Sequence, residues 1–238
     1  MTPKTKPFKF SMSKNELLCG IIFLPIFMVP LRTLVLLAAG LFDPNISTER
    51  YSMIFFLVSF IIVFLIFRNF LKQSFSDFLD AKFFSFSSII SGYIGYYIIA
   101  YVVSLLSFGL NAGANPNDRA IFEQVKLNQS AIIAISVLLG PIVEETLFRG
   151  VVFGSIRRKN RLMAYLISFL LFAVYHLWAP FVLSFENGVI DWSLLIHLLD
   201  YLPASLVLAW SYEKSGSVWS PIILHALINI LSITAVLG

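Results

Sequence analysis

Charged residues are scarce in this chain of 238 residues: Asp, Glu, Lys and Arg together make up 13% of it, against about 25% in soluble domains. Hydrophobic residues make up 58%, and the mean hydropathy is +0.86. These values exclude an ordinary soluble domain. They predict an all-α, polytopic membrane protein in which residues 1–238 form a single integral membrane domain surrounded by lipid.

Cysteine and several familiar catalytic motifs are also missing. A single cysteine, Cys19, excludes an internal disulfide, and we expect its thiol to be buried and inert. The chain has no Gly-x-Ser-x-Gly and no His-Glu-x-x-His, so it lacks the signatures of serine hydrolases and of soluble zinc proteases. It contains no internal repeat.

Long apolar runs fill most of the chain, and we interpret seven of them as membrane spans. A helix of about 20 apolar residues crosses a bilayer. The first span is interrupted near Pro30 and Arg32, and residues 111–130 are predicted to be a polar loop. The seven spans are expected at about 17–42, 51–67, 87–110, 131–155, 162–185, 193–212 and 218–237.

An additional amphipathic helix is predicted to lie in the membrane interface after the second span. Its apolar residues recur at intervals of three and four, with charged residues between them. The apolar set is Phe67, Phe70, Leu71, Phe75, Phe78, Leu79 and Phe83.

The positions of the basic residues predict the orientation. With the amino terminus in the cytoplasm, twelve of the 17 basic residues lie on the cytoplasmic side, among them Lys4, Lys6, Lys9 and the turn 157–161. This bias accounts for the net charge of +4 and removes the reason to expect a nucleic-acid partner. The expected location is the plasma membrane, with the amino terminus cytoplasmic.

Three ionisable residues lie inside the apolar run 131–155: Glu144, Glu145 and Arg149. Such side chains are costly in a bilayer unless they are paired or face a wet cavity, so the cluster is a candidate functional site. Counting 1.5 Å per residue places Glu144, His176 and His225 at comparable depths, about 12–20 Å from the cytoplasmic ends of their helices. His197 and Asp200 lie nearer the outer surface, where we expect them to pair with each other or with water.

Spacing along each helix divides these residues by orientation. Adjacent Glu144 and Glu145 point about 100° apart, whereas Glu145 and Arg149 are four apart and can pair. His225 and Asn229 share one face of the last span. Arg32 is interpreted as a side chain reaching the interface at a kink, with a buried partner for a carboxylate as the alternative.

A carboxylate, imidazoles and an amide in a dry site can activate water. The carboxylate can act as a general base, and imidazole and amide donors can stabilise an oxyanion. Glu144, His176 and His225 also have the right ligand types for one divalent metal such as zinc, with an open position. The sequence leaves both possibilities open.

Three motifs occur in order on successive hydrophobic segments: Glu144-Glu145-x-x-x-Arg149, Phe172-x-x-x-His176 and His225-x-x-x-Asn229. In this combination the chain resembles the CAAX-protease and bacteriocin-processing intramembrane endopeptidases, also called the Abi family. The resemblance covers residues 131–238, which would form the catalytic core.

The resemblance implies an all-helical membrane fold with a conical cavity in which peptide bonds are hydrolysed. Carried over by position, Glu144 and His176 would activate the water, and His225 and Asn229 would form the oxyanion site. Glu145, Arg149 and Phe172 would be supporting residues. Family members have been described as metalloproteases and as metal-free glutamate-type proteases, so the cofactor is one divalent metal or none. The short loops resemble bacterial members, which favours a peptide or membrane-protein substrate over a prenylated one.

Two other classes of function remain as alternatives. The chain could be a non-proteolytic membrane scaffold or regulator that keeps the same fold, with Glu145 and Arg149 only locking helices together. It could also be a transporter or proton relay, since these proteins use intramembrane Glu, His and Arg. The lack of repeats and of paired broken helices argues against the transporter hypothesis.

Overall fold

A computed structural model describes residues 8, 10–110, 113–186, 188 and 191–237, and within these ranges all regular structure is helical. Lys4, Lys6, Lys9 and Asn111, which entered the predictions above, lie outside the described residues. The helices are α1 (Lys14–Met28), α2 (Pro30–Gly40), α3 (Thr48–Asp80), α4 (Lys82–Gly109), α5 (Pro116–Leu127), α6 (Gln129–Arg157), α7 (Arg161–Glu186), α8 (Trp192–Ser215) and α9 (Trp219–Leu237).

The all-α polytopic membrane fold is confirmed, but the count of seven spans is not reproduced. Helices α3, α4, α6, α7 and α8 are long and apolar enough to cross a membrane. Helices α1 and α2 make a sixth span only if they are taken together, because the chain bends by 60° between them at Val29 and Pro30. Helix α9 is apolar over Trp219–Thr234 and continues to Leu237.

The predicted interfacial helix is not a separate element. Residues 67–80 continue α3 beyond a kink at Phe67, where φ is −107° and ψ is 15°. Phe67, Phe70 and Phe78 are buried, while Phe75 and Leu79 are exposed. The periodicity therefore indicated an amphipathic helix correctly, but its apolar face packs partly on the protein.

Glu16 holds the kink of α3 against the start of α1. Its carboxylate completes a capping box with Ser13 and also accepts a hydrogen bond of 2.8 Å from the backbone N–H of Phe70. The side chain is only 8% exposed. Because the kink removes the regular helical partners, Glu16 satisfies a backbone donor that would otherwise be buried without an acceptor.

Replacing Glu16 with alanine is expected to destabilise the protein by about 1–3 kcal/mol, because the N–H of Phe70 loses its buried acceptor. Glu16→Gln keeps an acceptor oxygen and should cost less. Thermal unfolding in detergent measures both, with Glu123→Ala, a change in an exposed ion pair, as the control. Equal melting temperatures for Glu16→Ala and Glu123→Ala would contradict the assignment.

The central helix of the fold is α6. Every residue from 140 to 154 is buried, which is expected of a helix surrounded by protein on all sides. The main hydrophobic core packs side chains of α1, α2, α3, α7 and α8 around this stretch. Gly92 on α4 allows a further close approach, because a Cβ there would lie 2.6 Å from Leu224 of α9.

Two further predictions are corrected by the structure. Most of the predicted polar loop 111–130 is helical, because Asn115 caps α5 by accepting hydrogen bonds from the N–H groups of Asn117 and Asp118. Cys19 is exposed on α1 and not buried. The apolar run around it did not reveal which face of the helix packs against protein.

Candidate active site

The candidate site begins at an irregular stretch of α6. A regular α-helical segment, Gly140–Glu144, lies between two segments of wider π-helical turns, Ala134–Leu139 and Glu145–Phe153. Such segments are rare and occur often at functional sites. Gly140 allows the tight geometry, since a Cβ there would lie 3.0 Å from the carbonyl oxygen of Ile135 and 3.7 Å from Oε1 of Glu144.

Glu145 joins two motifs through a single carboxylate oxygen. Its Oε1 accepts a hydrogen bond of 2.9 Å from Nη1 of Arg149 and one of 2.8 Å from Nδ1 of His225. Both Glu145 and Arg149 are fully buried. The predicted pairing of Glu145 with Arg149 is therefore present, and the contact of Glu145 with His225 is an addition that spacing along one helix could not reveal.

Phe172 supports the site through its ring and its backbone. The guanidinium carbon of Arg149 lies 4.3 Å from the centre of the Phe172 ring. The carbonyl oxygen of Phe172 lies 2.8 Å from Nδ1 of His176. Because a carbonyl only accepts, Nδ1 of His176 carries the hydrogen.

Glu144 and His176 face each other across α6 and α7. Oε2 of Glu144 lies 3.8 Å from Nε2 of His176. With the hydrogen of a neutral His176 on Nδ1, Nε2 carries a lone pair, so two acceptors oppose each other. A water molecule that donates one hydrogen to each is the simplest group that satisfies both.

Asn229 reaches the same region from α9. Its Nδ2 donates a hydrogen bond of 2.7 Å to the carbonyl oxygen of Ser136, in the first wide-turn segment of α6. This contact fixes the amide plane. The second N–H of Nδ2 remains for another acceptor.

A cavity of about 330 Å³ lies between these helices. The four residues predicted to be catalytic, Glu144, His176, His225 and Asn229, all contribute to its wall. Helix α5 closes another part of the wall with Ile121 and Phe122. A larger pocket of about 670 Å³ lies beside it, but its lining residues include none of the four.

Two features of the cavity were missed or underrated by the sequence analysis. The α5 wall was predicted to be a loop, although the cap at Asn115 was a usable signal. Arg32 also lines the cavity, and its guanidinium lies 5.1 Å from the ring centres of Phe55 and Tyr175. It forms no ion pair with a carboxylate among the described residues, so the alternative of a carboxylate partner is not supported.

His197 and Asp200 pair with each other as expected. Nδ1 of His197 lies 2.8 Å from Oδ2 of Asp200, which also accepts a hydrogen bond of 2.9 Å from Nδ2 of Asn115. Tyr201 donates to Asn115 as well. This network attaches the start of α5 to α8, beside the cavity.

Glu144, His176 and His225 are the predicted ligands of a divalent metal. Among the described residues, no three His, Cys, Asp or Glu side chains come close enough together to hold a metal ion. His225 directs Nδ1 to Glu145 and not to the space between Glu144 and His176. Glu144, His176 and His225 therefore do not form a three-ligand metal site in this arrangement.

Comparison with known proteins agrees with the motifs. Residues 126–231 match the family of Rce1-like type II CAAX prenyl endopeptidases. The Bacillus subtilis protein named "Putative membrane peptidase YdiL" is 30% identical over 145 residues, which cover 60% of this chain and 48% of that protein. The Lactococcus lactis protein named "UPF0177 protein YxdF" is 34% identical over 113 residues, covering 46% of this chain and 54% of that protein.

The matched region contains all three motifs and most of the cavity-lining part of α6, α7 and α9. The chain spans about half the length of the curated relatives that it matches. No solved structure matches the chain significantly. The resemblance predicted from the motifs is thus confirmed for residues 126–231.

Proposed function

We propose that this chain, whose residues 126–231 match the Rce1-like type II CAAX prenyl endopeptidase family, is an intramembrane endopeptidase. The observation that carries the proposal is the pair of opposed acceptors, Oε2 of Glu144 and Nε2 of His176, 3.8 Å apart in a cavity within the membrane domain. The proposed substrate is a peptide or a membrane protein. The proposed catalytic residues are Glu144, His176, His225 and Asn229, with Glu145, Arg149 and Phe172 as supporting residues.

In the proposed first step, water held between Glu144 and His176 attacks the carbonyl carbon of the scissile bond. Glu144 takes one proton of the water, and Nε2 of His176 orients the other. The surrounding apolar side chains keep bulk water away, so the carboxylate works as a base in a site of low dielectric.

The attack places negative charge on the carbonyl oxygen of the substrate. We assign its stabilisation to the free N–H of Asn229 and to Nε2 of His225. Nε2 of His225 donates in the form of the ring that carries both protons, while Nδ1 donates to the carboxylate of Glu145 at 2.8 Å. Arg149 in turn balances the charge of Glu145.

Collapse of the tetrahedral intermediate breaks the C–N bond. Glu144 returns its proton to the leaving nitrogen, which departs as an amine, while the acyl part becomes a carboxylic acid. The net reaction consumes one water and one peptide bond. It needs no electron transfer and leaves the enzyme unchanged.

Peptide cleavage by the purified protein tests the proposed function. A quenched fluorescent peptide library and host membrane proteins would be incubated with wild type and with Glu144→Gln in water enriched in ¹⁸O. The expected result is cleavage by wild type only, with one ¹⁸O in each new carboxylate. Cleavage that persists in Glu144→Gln would overturn the mechanism, and absence of cleavage in both proteins would favour a scaffold or regulator.

We also propose an orientation of the protein in the membrane and its cellular location. We place the protein in the plasma membrane with its amino terminus and the basic turn 157–161 in the cytoplasm. A cysteine introduced as Asn160→Cys in a Cys19→Ser background is expected to react with a membrane-impermeant maleimide only after the cells are opened. Labelling in intact cells would invert the topology, and Asn45→Cys, between α2 and α3, is the control for the outer side.

A further inference from the structure

Arg32 is a half-buried cation at the cavity wall whose charge the proposed mechanism does not use. Its Nε is buried and has no hydrogen-bond partner, and Arg32 forms no ion pair with any acidic side chain in the part of the chain that the structure describes. Arg149, the other arginine within the spans, pairs with Glu145. An unpaired charge at membrane depth is costly, so Arg32 is expected to serve a ligand or a wet cavity.

The fold holds the Arg32 side chain at the cavity. The 60° bend between α1 and α2 places it in the first turn of α2. The phenol of Tyr51 donates a hydrogen bond of 3.1 Å to its backbone carbonyl, and the rings of Phe55 and Tyr175 flank the guanidinium at 5.1 Å. Cation–π contacts stabilise the charge while leaving guanidinium N–H groups free to donate.

From this arrangement we infer that Arg32 binds the carboxyl-terminal carboxylate of the peptide substrate. The inference rests on the proposed function and adds a binding subsite to the cavity that contains Glu144 and His176. Arg32 positions the peptide substrate and selects a free carboxyl terminus, and it takes no part in breaking the peptide bond.

The chemistry of the cavity favours the end of a peptide over other anions. A guanidinium matches a planar carboxylate through two parallel hydrogen bonds. A volume of about 330 Å³ is at the small end of ligand pockets, which suits a chain end better than a chain that runs through. Apolar lining residues such as Phe56, Ile121 and Phe122 suit hydrophobic side chains next to that carboxylate.

Electrostatics supports the same assignment. A substrate carboxylate that enters this cavity approaches the carboxylate of Glu144 and would be repelled by it. Arg32 lines the same cavity as Glu144 and His176. It can therefore offset the repulsion for a substrate with a free carboxyl terminus, whereas an amidated terminus gains nothing from it.

The first test measures binding without turnover. The probe is a dye-labelled tripeptide of leucine, made with a free carboxylate or with a terminal amide, and the protein is full-length Glu144→Gln in nanodiscs of neutral lipid. The free acid should bind about 10–100-fold more tightly than the amide, as expected for a charge-assisted contact. Equal binding of acid and amide would overturn the inference whether or not the protein is a protease.

Variants of Arg32 test whether this side chain causes the tighter binding of the free acid. Adding Arg32→Gln should abolish the preference for the acid by weakening its binding alone, while Arg32→Lys should retain part of it. Arg50→Gln, which changes an exposed arginine paired with Asp43, is the matched control and should bind like the parent. A preference that persists in a folded Arg32→Gln protein, or that disappears when anionic lipid is added, would overturn the carboxylate assignment.

A kinetic test separates positioning from catalysis. With a peptide that the wild type cleaves, Arg32→Gln should raise KM for the free acid to the KM of the amide and leave kcat for the amide unchanged. An equal fall in kcat for both peptides would instead make Arg32 part of the chemical step. If no peptide is cleaved in a way that depends on Glu144, the proposed function fails. The binding test still shows whether Arg32 binds a carboxylate.

Discussion

Replacement of His176 by alanine is expected to lower kcat for peptide cleavage about a thousandfold, while His197→Ala stays within about tenfold of wild type. Nε2 of His176 faces Glu144 at 3.8 Å inside the cavity, whereas His197 directs Nδ1 to Asp200 at 2.8 Å. The two histidines are both largely buried, so the comparison separates loss of a catalytic group from general disturbance of the packing.

The measurement is the rate of cleavage per folded molecule, with the melting temperature of each variant as the check on folding. His176→Ala should melt within a few degrees of wild type. A His176→Ala protein that is folded and cleaves at the wild-type rate would remove His176 from the mechanism. Inactivity of His197→Ala in the folded state would show that the outer network contributes directly to turnover.

The second large effect concerns stability. Arg149→Met is expected to destabilise the protein by about 3–5 kcal/mol, because it leaves the carboxylate of Glu145 buried without its counter-charge. The same change should impair catalysis, since Glu145 also accepts the hydrogen of His225 Nδ1. Unfolding in detergent by a denaturant titration gives the loss of stability.

A double substitution tests the physical cause. Adding Glu145→Gln to Arg149→Met removes the uncompensated charge, so the pair should lose less stability than the sum of the two single changes. Lys126→Met, which breaks an exposed ion pair with Glu123, is the control and should cost no more than about 1 kcal/mol. Additive losses in the double variant would mean that packing, and not the ion pair, explains the effect.

Much of the site could be predicted because helical spacing carries geometric information. The interval of four residues predicted the contact of Glu145 with Arg149, which the structure shows at 2.9 Å. The depth estimate grouped Glu144, His176 and His225 and separated His197 with Asp200. All three residues of the first group line the cavity, whereas of the second group Asp200 lines it and His197 does not. The three motifs also predicted the family resemblance, which was expected over residues 131–238 and is found over residues 126–231.

The remaining features depend on contacts between helices, which no local pattern encodes. The link from Glu145 to His225 joins residues 80 positions apart. Arg32 was interpreted as a side chain reaching the interface, because its neighbours in sequence do not reveal the rings of Phe55 and Tyr175. The fold prediction likewise missed that α3 continues through the kink at Phe67, since Glu16 of α1 satisfies the backbone there.

The most direct test of the central claim is the cleavage rate of wild type and Glu144→Gln after exhaustive removal of metal, with the residual metal content measured in the same samples. Because the activation of water is assigned to Glu144 and His176, we expect wild type to keep its rate after chelation and Glu144→Gln to remain inactive. A wild-type rate that is lost on chelation and restored by zinc would contradict that assignment.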